Sequence, residues 1–165
     1  MSKIKIRSTR SVRPKSCAPE TLPSNVVELM AFRDRRPSPG AHTVYYLNEA
    51  GRWLETLDSF AFLYVEDIGN MEVLKARLLS RTPDLIVLES ELKWTDPVST
   101  INLLSSLVEA PIVLITDCNA ESSNLIKAAY AAGVHDTLYA PLREDELGET
   151  LEVLLKFRRQ TSLNQ

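Results

Sequence analysis

An acidic residue follows an uninterrupted apolar run in the segment Pro83–Ser90 (PDLIVLES). Its core, LIVL, has no polar alternation, which is typical of a parallel strand that is buried on both faces. In open α/β sheets, ligands bind in the crevice beyond the carboxyl ends of the strands. Glu89 comes directly after this run, so its carboxylate is the first candidate for chemistry.

The other reactive residue types give little support to catalysis. His42 and His135 are the only histidines, and neither belongs to a metal-binding motif. The five glycines form no phosphate-binding loop. Cys17 and Cys118 are far apart and form no CxxC pair, so neither a disulfide framework nor a zinc site is predicted. We therefore expect no catalytic residue, no metal site and no enzyme activity.

Short apolar strands alternate with amphipathic helices from residue 42 onward. The predicted strands are 43–47, 60–65, 85–88, 112–115 and 137–139. The predicted helices are 49–57, 70–80, 98–108, 122–132 and 144–158. Strands that alternate with helices in this way form right-handed βαβ units with a parallel sheet covered on both faces. We therefore predict an α/β fold with a doubly wound, five-stranded parallel sheet.

Charge is distributed unevenly along the chain. Residues 1–40 contain nine Lys/Arg and three Asp/Glu, whereas residues 41–165 contain ten Lys/Arg and nineteen Asp/Glu. The first segment is also rich in proline, a composition that disfavours a packed core. We predict a basic, flexible N-terminal extension over 1–40 with a short helix at 24–33, a domain over 41–160 and a flexible tail over 161–165. The basic residues that begin the extension, with no acid among them, are Lys3, Lys5, Arg7, Arg10, Arg13 and Lys15.

The basic extension has three interpretations. It is a solvated tail, it neutralises the phosphates of nucleic acid or anionic lipid, or it binds an acidic protein surface. Nucleic-acid binding is less favoured because no aromatic residue precedes Phe32 and no helix-turn-helix or zinc module is recognisable.

Membrane and secretion signals are not recognisable. No apolar run approaches the roughly 18 residues that a spanning helix needs, and the charged N-terminus is not followed by the apolar region of a secretory signal. We therefore expect a cytoplasmic protein without a membrane span.

Three segments resemble the receiver domain of two-component response regulators, over roughly residues 42–159. PDLIVLE resembles the third strand of that family, and PIVLITD (Pro111–Asp117) resembles the fourth. The stretch AAYAAGVHDTLYAPLREDEL (Ala128–Leu147) resembles the end of the fourth helix, the fifth strand, a proline turn and the start of the last helix. The resemblance implies a flavodoxin-like sheet with strand order 2-1-3-4-5.

The residues on which receiver function depends have mostly changed in this chain. Receivers use an acidic pair to hold Mg²⁺, an aspartate to accept the phosphoryl group, a Thr or Ser to bind its oxygen and a lysine to pair with the new charge. By resemblance, these positions are held by Asn48, Glu49, Glu89, Thr116 and Ala140. Because phosphoryl transfer needs metal and lysine to neutralise the developing charge, the resemblance implies a degenerate phosphorylation site. Glu49 and Glu89 could hold Mg²⁺ only weakly, so we expect no cofactor.

Two interpretations of Glu89 remain open. Its carboxylate either imitates a phosphorylated aspartate or is a solvated acid at a strand end, and Lys93 is its only apparent counter-charge. Trp94, in the following loop, either caps the crevice or folds onto its own loop. The aromatic switch residue of the family is replaced by Thr137, while Tyr139 lies on the adjacent pleat.

With the acid chemistry discounted, the resemblance implies a binding module. Receivers contact partners through the face formed by the fourth helix, fifth strand and fifth helix, so we expect a protein partner or a homodimer there. The candidate contacts are Leu125, Ala129, Tyr139, Leu142 and Leu147.

We therefore predict a phosphorylation-independent pseudo-receiver that acts through protein contacts in bacterial signal transduction or transcription regulation. One alternative is a receiver that still accepts or senses a phosphoryl group through another residue such as Asp117 or Asp96. The other is a regulator whose basic extension contacts nucleic acid.

Overall fold

The computed structural model describes residues 37–119 and 122–163. Most of the predicted basic extension, with its six leading cations and its helix at 24–33, lies outside the described residues. The described chain begins a compact unit at Pro37, close to the predicted domain start at residue 41.

Five parallel strands form one sheet in the order β2-β1-β3-β4-β5, which confirms the predicted fold class. The strands are β1 (His42–Leu47), β2 (Leu63–Ile68), β3 (Leu85–Glu89), β4 (Ile112–Asp117) and β5 (Asp136–Ala140). The helices are α1 (Leu54–Asp58), α2 (Met71–Ser80), α3 (Pro97–Leu107), α4 (Ser122–Ala132) and α5 (Glu144–Leu163). Helix α5 continues beyond the predicted end at residue 158 and into the segment predicted as a tail.

The core has two layers because successive strand residues point to opposite faces of the sheet. One layer packs side chains of the sheet against α2, α3 and α4, and includes Tyr45, Ile101 and Ala129. The other packs the sheet against α1 and α5, and includes Tyr46 and Leu147. Full burial of one large apolar side chain contributes about 1.5–3 kcal/mol to the stability of the fold. Many such side chains are buried in the two layers, and together they hold helices on both faces of the sheet.

Helix ends are defined by local chemistry. The side chain of Asn70 accepts the Val73 N–H at the start of α2 (2.9 Å), and Asp96 does the same for Ser99 at the start of α3 (2.7 Å). Both bonds satisfy amides that have no partner within the helix. Helix α4 ends at Ala132 and is followed by Gly133, whose φ of 110° is a conformation that favours glycine.

Two boundaries differ from the predictions. The first helix starts at Leu54 instead of residue 49, because side chains of β1 and its end bind the backbone N–H groups of Gly51 and Trp53 and hold that segment as a loop. Strand β2 starts at Leu63 instead of residue 60. Phe60 precedes the strand, where its ring lies against Phe62 and Gly148.

Within the described residues, no helix is both long enough and apolar enough to cross a bilayer.

Candidate functional site

The carboxyl ends of the central strands and the β1–α1 loop enclose a small crevice. Of the five residues predicted for the degenerate site, the crevice brings together Glu89, Thr116 and Ala140. Asn48 and Glu49 do not line it. The full set of lining residues is Arg52, Trp53, Glu89, Ser90, Glu91, Ile115, Thr116, Asp117 and Ala140.

Glu89 is buried at the floor of this crevice and is hydrogen-bonded to Tyr46. It exposes only 7% of its surface, and its Oε1 accepts a hydrogen bond from the Tyr46 hydroxyl. Tyr46 is fully buried, and its hydroxyl oxygen accepts the Trp53 N–H at 3.0 Å. One hydroxyl therefore joins β1, the end of β3 and the β1–α1 loop. The interpretation of Glu89 as a solvated acid is wrong, because the sheet and this loop cover it.

Burial sets the direction of both pKa values. Desolvation raises the pKa of the Glu89 carboxyl, although the Tyr46 hydrogen bond and the Arg52 charge act in the opposite direction. Desolvation also raises the pKa of the Tyr46 hydroxyl, and the hydrogen bond to Glu89 raises it further. Tyr46 consequently stays protonated and remains a hydrogen-bond donor to Glu89 at neutral pH.

Arg52 brings a positive charge to the crevice from the β1–α1 loop. Its Nη1 lies 3.7 Å from Oδ1 of Asp117, and its Nη2 lies 3.6 Å from Oε2 of Glu91. The expected counter-charge of Glu89 was Lys93, which is wrong: the Nζ of Lys93 instead lies 3.6 Å from Oε1 of Glu49. Arg52 is therefore the cationic residue that pairs with acids of the crevice.

Asn48 is a structural residue at the end of β1. Its side-chain amide donates to Oδ1 of Asp67 (2.6 Å) and to the Tyr46 carbonyl (3.2 Å), and its Oδ1 accepts the Gly51 N–H (2.6 Å). The Trp94 indole N–H donates to the Asn48 carbonyl at 3.2 Å. Trp94 thus fastens the β3–α3 loop to β1, and it does not line the crevice, which Trp53 lines instead.

Thr116, which retains the hydroxyl of the family, and Thr137, at the switch position, have different hydrogen-bond partners. Thr116 is buried in the crevice wall, and its hydroxyl donates to the neighbouring Asp117 carbonyl at 3.5 Å. Thr137 lies 3.4 Å from the Tyr130 hydroxyl. Tyr139 points away from the core and is 46% exposed, as the alternation in β5 predicts.

The residues present do not fit the Mg²⁺ ion that the family resemblance implies. An octahedral Mg²⁺ site needs carboxylate or carbonyl oxygens free to face one point. Here the side-chain oxygen of Asn48 is used by Gly51, Glu49 pairs with Lys93, and Glu89 bonds to Tyr46. Among residues 37–119 and 122–163, no three His, Cys, Asp or Glu side chains form a group that could hold a metal ion.

The predicted partner face is only partly available. Ala129 and Leu147 are fully buried in the two core layers, so their predicted contact with a partner is wrong. Leu125 and Leu142 are half-buried, and Tyr139 is exposed. Core packing explains the error, because the inward positions of α4 and α5 are as apolar as an interface would be.

Sequence reasoning missed Tyr46 and Arg52. Tyr46 lies in β1, and Asn48 directly follows that strand two residues later. Strand alternation alone therefore places both side chains on one face of the sheet. That signal could have drawn attention to the tyrosine hydroxyl. Nothing in the local pattern around Arg52 indicates that it pairs with Asp117, which is distant in the sequence.

Comparisons with known proteins identify the fold. No protein-family model matches the chain, and no curated protein sequence is detectably similar to it. The chain is similar to the crystal structure of a two-component response regulator from Clostridium difficile, with 23% identity, a TM-score of 0.63 and coverage of 70% of this chain and 96% of that one.

Two further structures agree. The signal receiver domain of a modulated diguanylate cyclase from Desulfovibrio desulfuricans is 17% identical, with a TM-score of 0.63 and coverage of 73% and 98%. A response regulator receiver domain protein from Methanospirillum hungatei is 13% identical, with a TM-score of 0.64 and coverage of 73% and 98%. The described part of the chain therefore has the receiver-domain fold.

Proposed function

We propose that this chain is a pseudo-receiver, a signalling module that binds a partner protein without being switched by phosphorylation. The observation that carries the proposal is the buried hydrogen bond between Tyr46 and Glu89 at the position where receivers carry their phosphoacceptor. The receiver fold supports the signalling role, and the altered crevice supports independence from phosphorylation.

Each step of phosphoryl transfer lacks a component in this crevice. The nucleophile must be an exposed carboxylate, whereas Glu89 is covered and its pKa is raised by burial. The developing charge on the phosphoryl oxygens needs a metal ion and a free cation. Arg52 is engaged with Glu91 and Asp117, and Ala140 supplies no charge. These features favour an inert site.

A binding role then depends on exposed side chains. Tyr139 on β5 and Tyr130 on α4 are both about half exposed and lie on the face predicted to contact a partner. Aromatic side chains with a polar tip are enriched at protein interfaces. We propose that this face, centred on Tyr139, contacts a partner protein or a second copy of the chain.

One alternative retains phosphorylation at a different acid. Asp117 lines the crevice and its side chain is 43% exposed, so a phosphodonor could reach this aspartate. Asp96 is a poorer candidate because its side chain caps α3, and the hydrogen bonds with Ser99 lower the pKa of its carboxyl. The two proposals differ in whether a phosphodonor changes the protein.

The test is incubation with acetyl phosphate and Mg²⁺, followed by intact mass measurement, and an amide NMR spectrum with Mg²⁺ and beryllofluoride. We expect no added phosphoryl group and no shifts at Glu89, Thr116 or Tyr139. A phosphorylated product would contradict the proposal, and its loss in the variant Asp117→Asn would establish the alternative. Asp96→Asn is the matched control, since it also removes an acid but lies outside the crevice lining.

A further inference from the structure

Two acids of the crevice share one internal cation. Glu91 follows β3 and Asp117 ends β4, and the two nitrogens at the tip of Arg52 lie 3.6 Å and 3.7 Å from their carboxylate oxygens. A planar guanidinium with several fixed donors is suited to bridging two carboxylates. Arg52 is the only cationic residue among the described residues that line the crevice.

The backbone next to Arg52 is held by a hydrogen bond of the following residue. The Trp53 N–H donates to the Tyr46 hydroxyl, which in turn donates to Glu89. Residues 52 and 53 are therefore linked to all three acids of the crevice. The Arg52 side chain reaches the carboxylates of Glu91 and Asp117. The Trp53 backbone N–H is linked to Glu89 through the Tyr46 hydroxyl.

We propose that the Arg52 guanidinium occupies the position beside Glu91 and Asp117 where a divalent cation would otherwise bind, and that it excludes Mg²⁺ by neutralising these two carboxylates. The proposal rests on the proposed function, since a site that binds no metal has lost the cofactor of phosphoryl transfer. It explains how two acids that line one crevice are neutralised without a metal. It also accounts for a positive charge in the crevice although Ala140 supplies none.

The exposure of these pairs decides what Arg52 does. Its side chain is 49% exposed, and exposed ion pairs contribute little to folding stability. The same charge nevertheless opposes entry of a second cation, because a divalent ion would need the carboxylates that Arg52 occupies. Arg52 is therefore a positioning residue whose removal should affect cation binding more than stability.

The experiment uses Mn²⁺ as the probe and follows paramagnetic broadening of backbone amides in the full chain. In Arg52→Gln, the carboxylates of Glu91 and Asp117 lose this positive charge, so a divalent ion that keeps most of its waters can approach them. We expect broadening centred on Glu91 and Asp117 in this variant, and no such broadening in the wild type at the same Mn²⁺ concentration. Arg52→Lys, which keeps the charge, should behave like the wild type.

Arg77 offers a matched control. Its side chain is 52% exposed and pairs with Glu66 at 3.0 Å, away from the crevice. Arg77→Gln removes the same charge and should leave Mn²⁺ binding at the crevice unchanged. The proposal is overturned if Arg52→Gln gains no affinity, or if Arg77→Gln gains as much.

The wild type provides an independent criterion that needs no variant. If Mn²⁺ at the same concentration broadens the Glu91 and Asp117 amides of the wild type, Arg52 does not exclude cations and the inference fails. The proposed function is tested separately by acetyl phosphate: a chain that binds Mn²⁺ but gains no phosphoryl group contradicts the inference alone. A chain that gains a phosphoryl group contradicts the proposed function.

Discussion

Tyr45 and Tyr46 are adjacent in β1 and fully buried, and their hydroxyls serve opposite faces of the sheet. The Tyr45 hydroxyl donates to the carbonyls of Arg77 and Arg81 at the end of α2, at 3.1 Å and 2.5 Å. The Tyr46 hydroxyl donates to the Glu89 carboxylate. The first bond is to neutral backbone and the second to an ionisable side chain, so the two tyrosines form a natural pair for comparison.

Removal of the Tyr46 hydroxyl should destabilise the fold in a pH-dependent way. In Tyr46→Phe the buried carboxylate loses its donor, which costs about 1–3 kcal/mol. The loss should be larger near neutral pH than in mild acid, because protonated Glu89 carries no charge that needs compensation. Urea unfolding of the wild type and of Tyr46→Phe at neutral pH and in mild acid measures the loss of stability under both conditions.

Tyr45→Phe is the matched control for that experiment. It removes a buried hydroxyl from the neighbouring position but leaves Glu89 untouched, so its cost should not follow the protonation of Glu89. Equal pH dependence in the two variants would show that the Tyr46 bond is not specifically linked to the carboxylate.

The raised pKa of Glu89 predicts how stability varies with pH. The folded protein holds this proton more tightly than the unfolded chain, so the stabilisation is complete below the ordinary glutamate pKa of 4.5 and is lost as pH rises through the folded value. The free energy of unfolding of the wild type, relative to Glu89→Gln, should therefore fall as pH rises.

Urea unfolding of both proteins from about pH 5 to pH 8 provides the measurement. Glutamine keeps an acceptor for the Tyr46 hydroxyl but does not titrate, so the difference isolates Glu89. A constant difference across this range would contradict the raised pKa.

Gly133 should tolerate no side chain. Its φ is 110°, and a Cβ at this position would lie 2.8 Å from Cβ of Ser105 on α3. Gly133→Ala combines backbone strain with this clash and should cost about 1–3 kcal/mol or more. Thermal or urea unfolding measures the change.

Gly69 is the control glycine for that variant. A Cβ there would meet no heavy atom within 4 Å, and its φ is not in the positive range. Gly69→Ala should therefore change stability by less than about 0.5 kcal/mol. Equal losses in the two variants would mean that the contact between Gly133 and Ser105 has no energetic importance.

Tyr139 should matter for association more than for folding. Because its ring is 46% exposed, Tyr139→Ser should change the free energy of unfolding by less than about 1 kcal/mol. We expect it to weaken self-association in analytical ultracentrifugation or, where the partner is another protein, its binding in calorimetry. Leu79→Ser on α2 is the control, because Leu79 is 91% exposed and lies outside the proposed face. Equal weakening by both variants would argue against that face.

The sheet could be predicted from the sequence because its information is local. The apolar residues of β3 have no polar alternation, and this alone indicates burial on both faces. Helix α2 was also predictable, since the sequence over 70–80 has an amphipathic pattern. The β1–α1 loop was not, because a helix there is prevented by the side chains of Asn48 and Tyr46, which bind backbone amides that follow them.

The chemistry of the crevice was less predictable than the fold. The position of Glu89 followed from the strand pattern, but its burial and its partner did not. Tyr46 is 43 positions away in the sequence, and only the register between β1 and β3 brings the two side chains together. The pairing of Arg52 with Asp117 likewise depends on how a loop closes over the sheet. Such contacts leave no periodic signal in the sequence.

The hydrogen bond between Tyr46 and Glu89 also bears on how such a protein would be controlled. Under the proposed function, an acid that is already held by its own chain offers no input to a kinase or a phosphatase. Under the proposed function, the strength of the output would follow how much of the protein the cell makes and how long it persists. Its regulation would then lie in synthesis and turnover instead of in phosphorylation of Glu89.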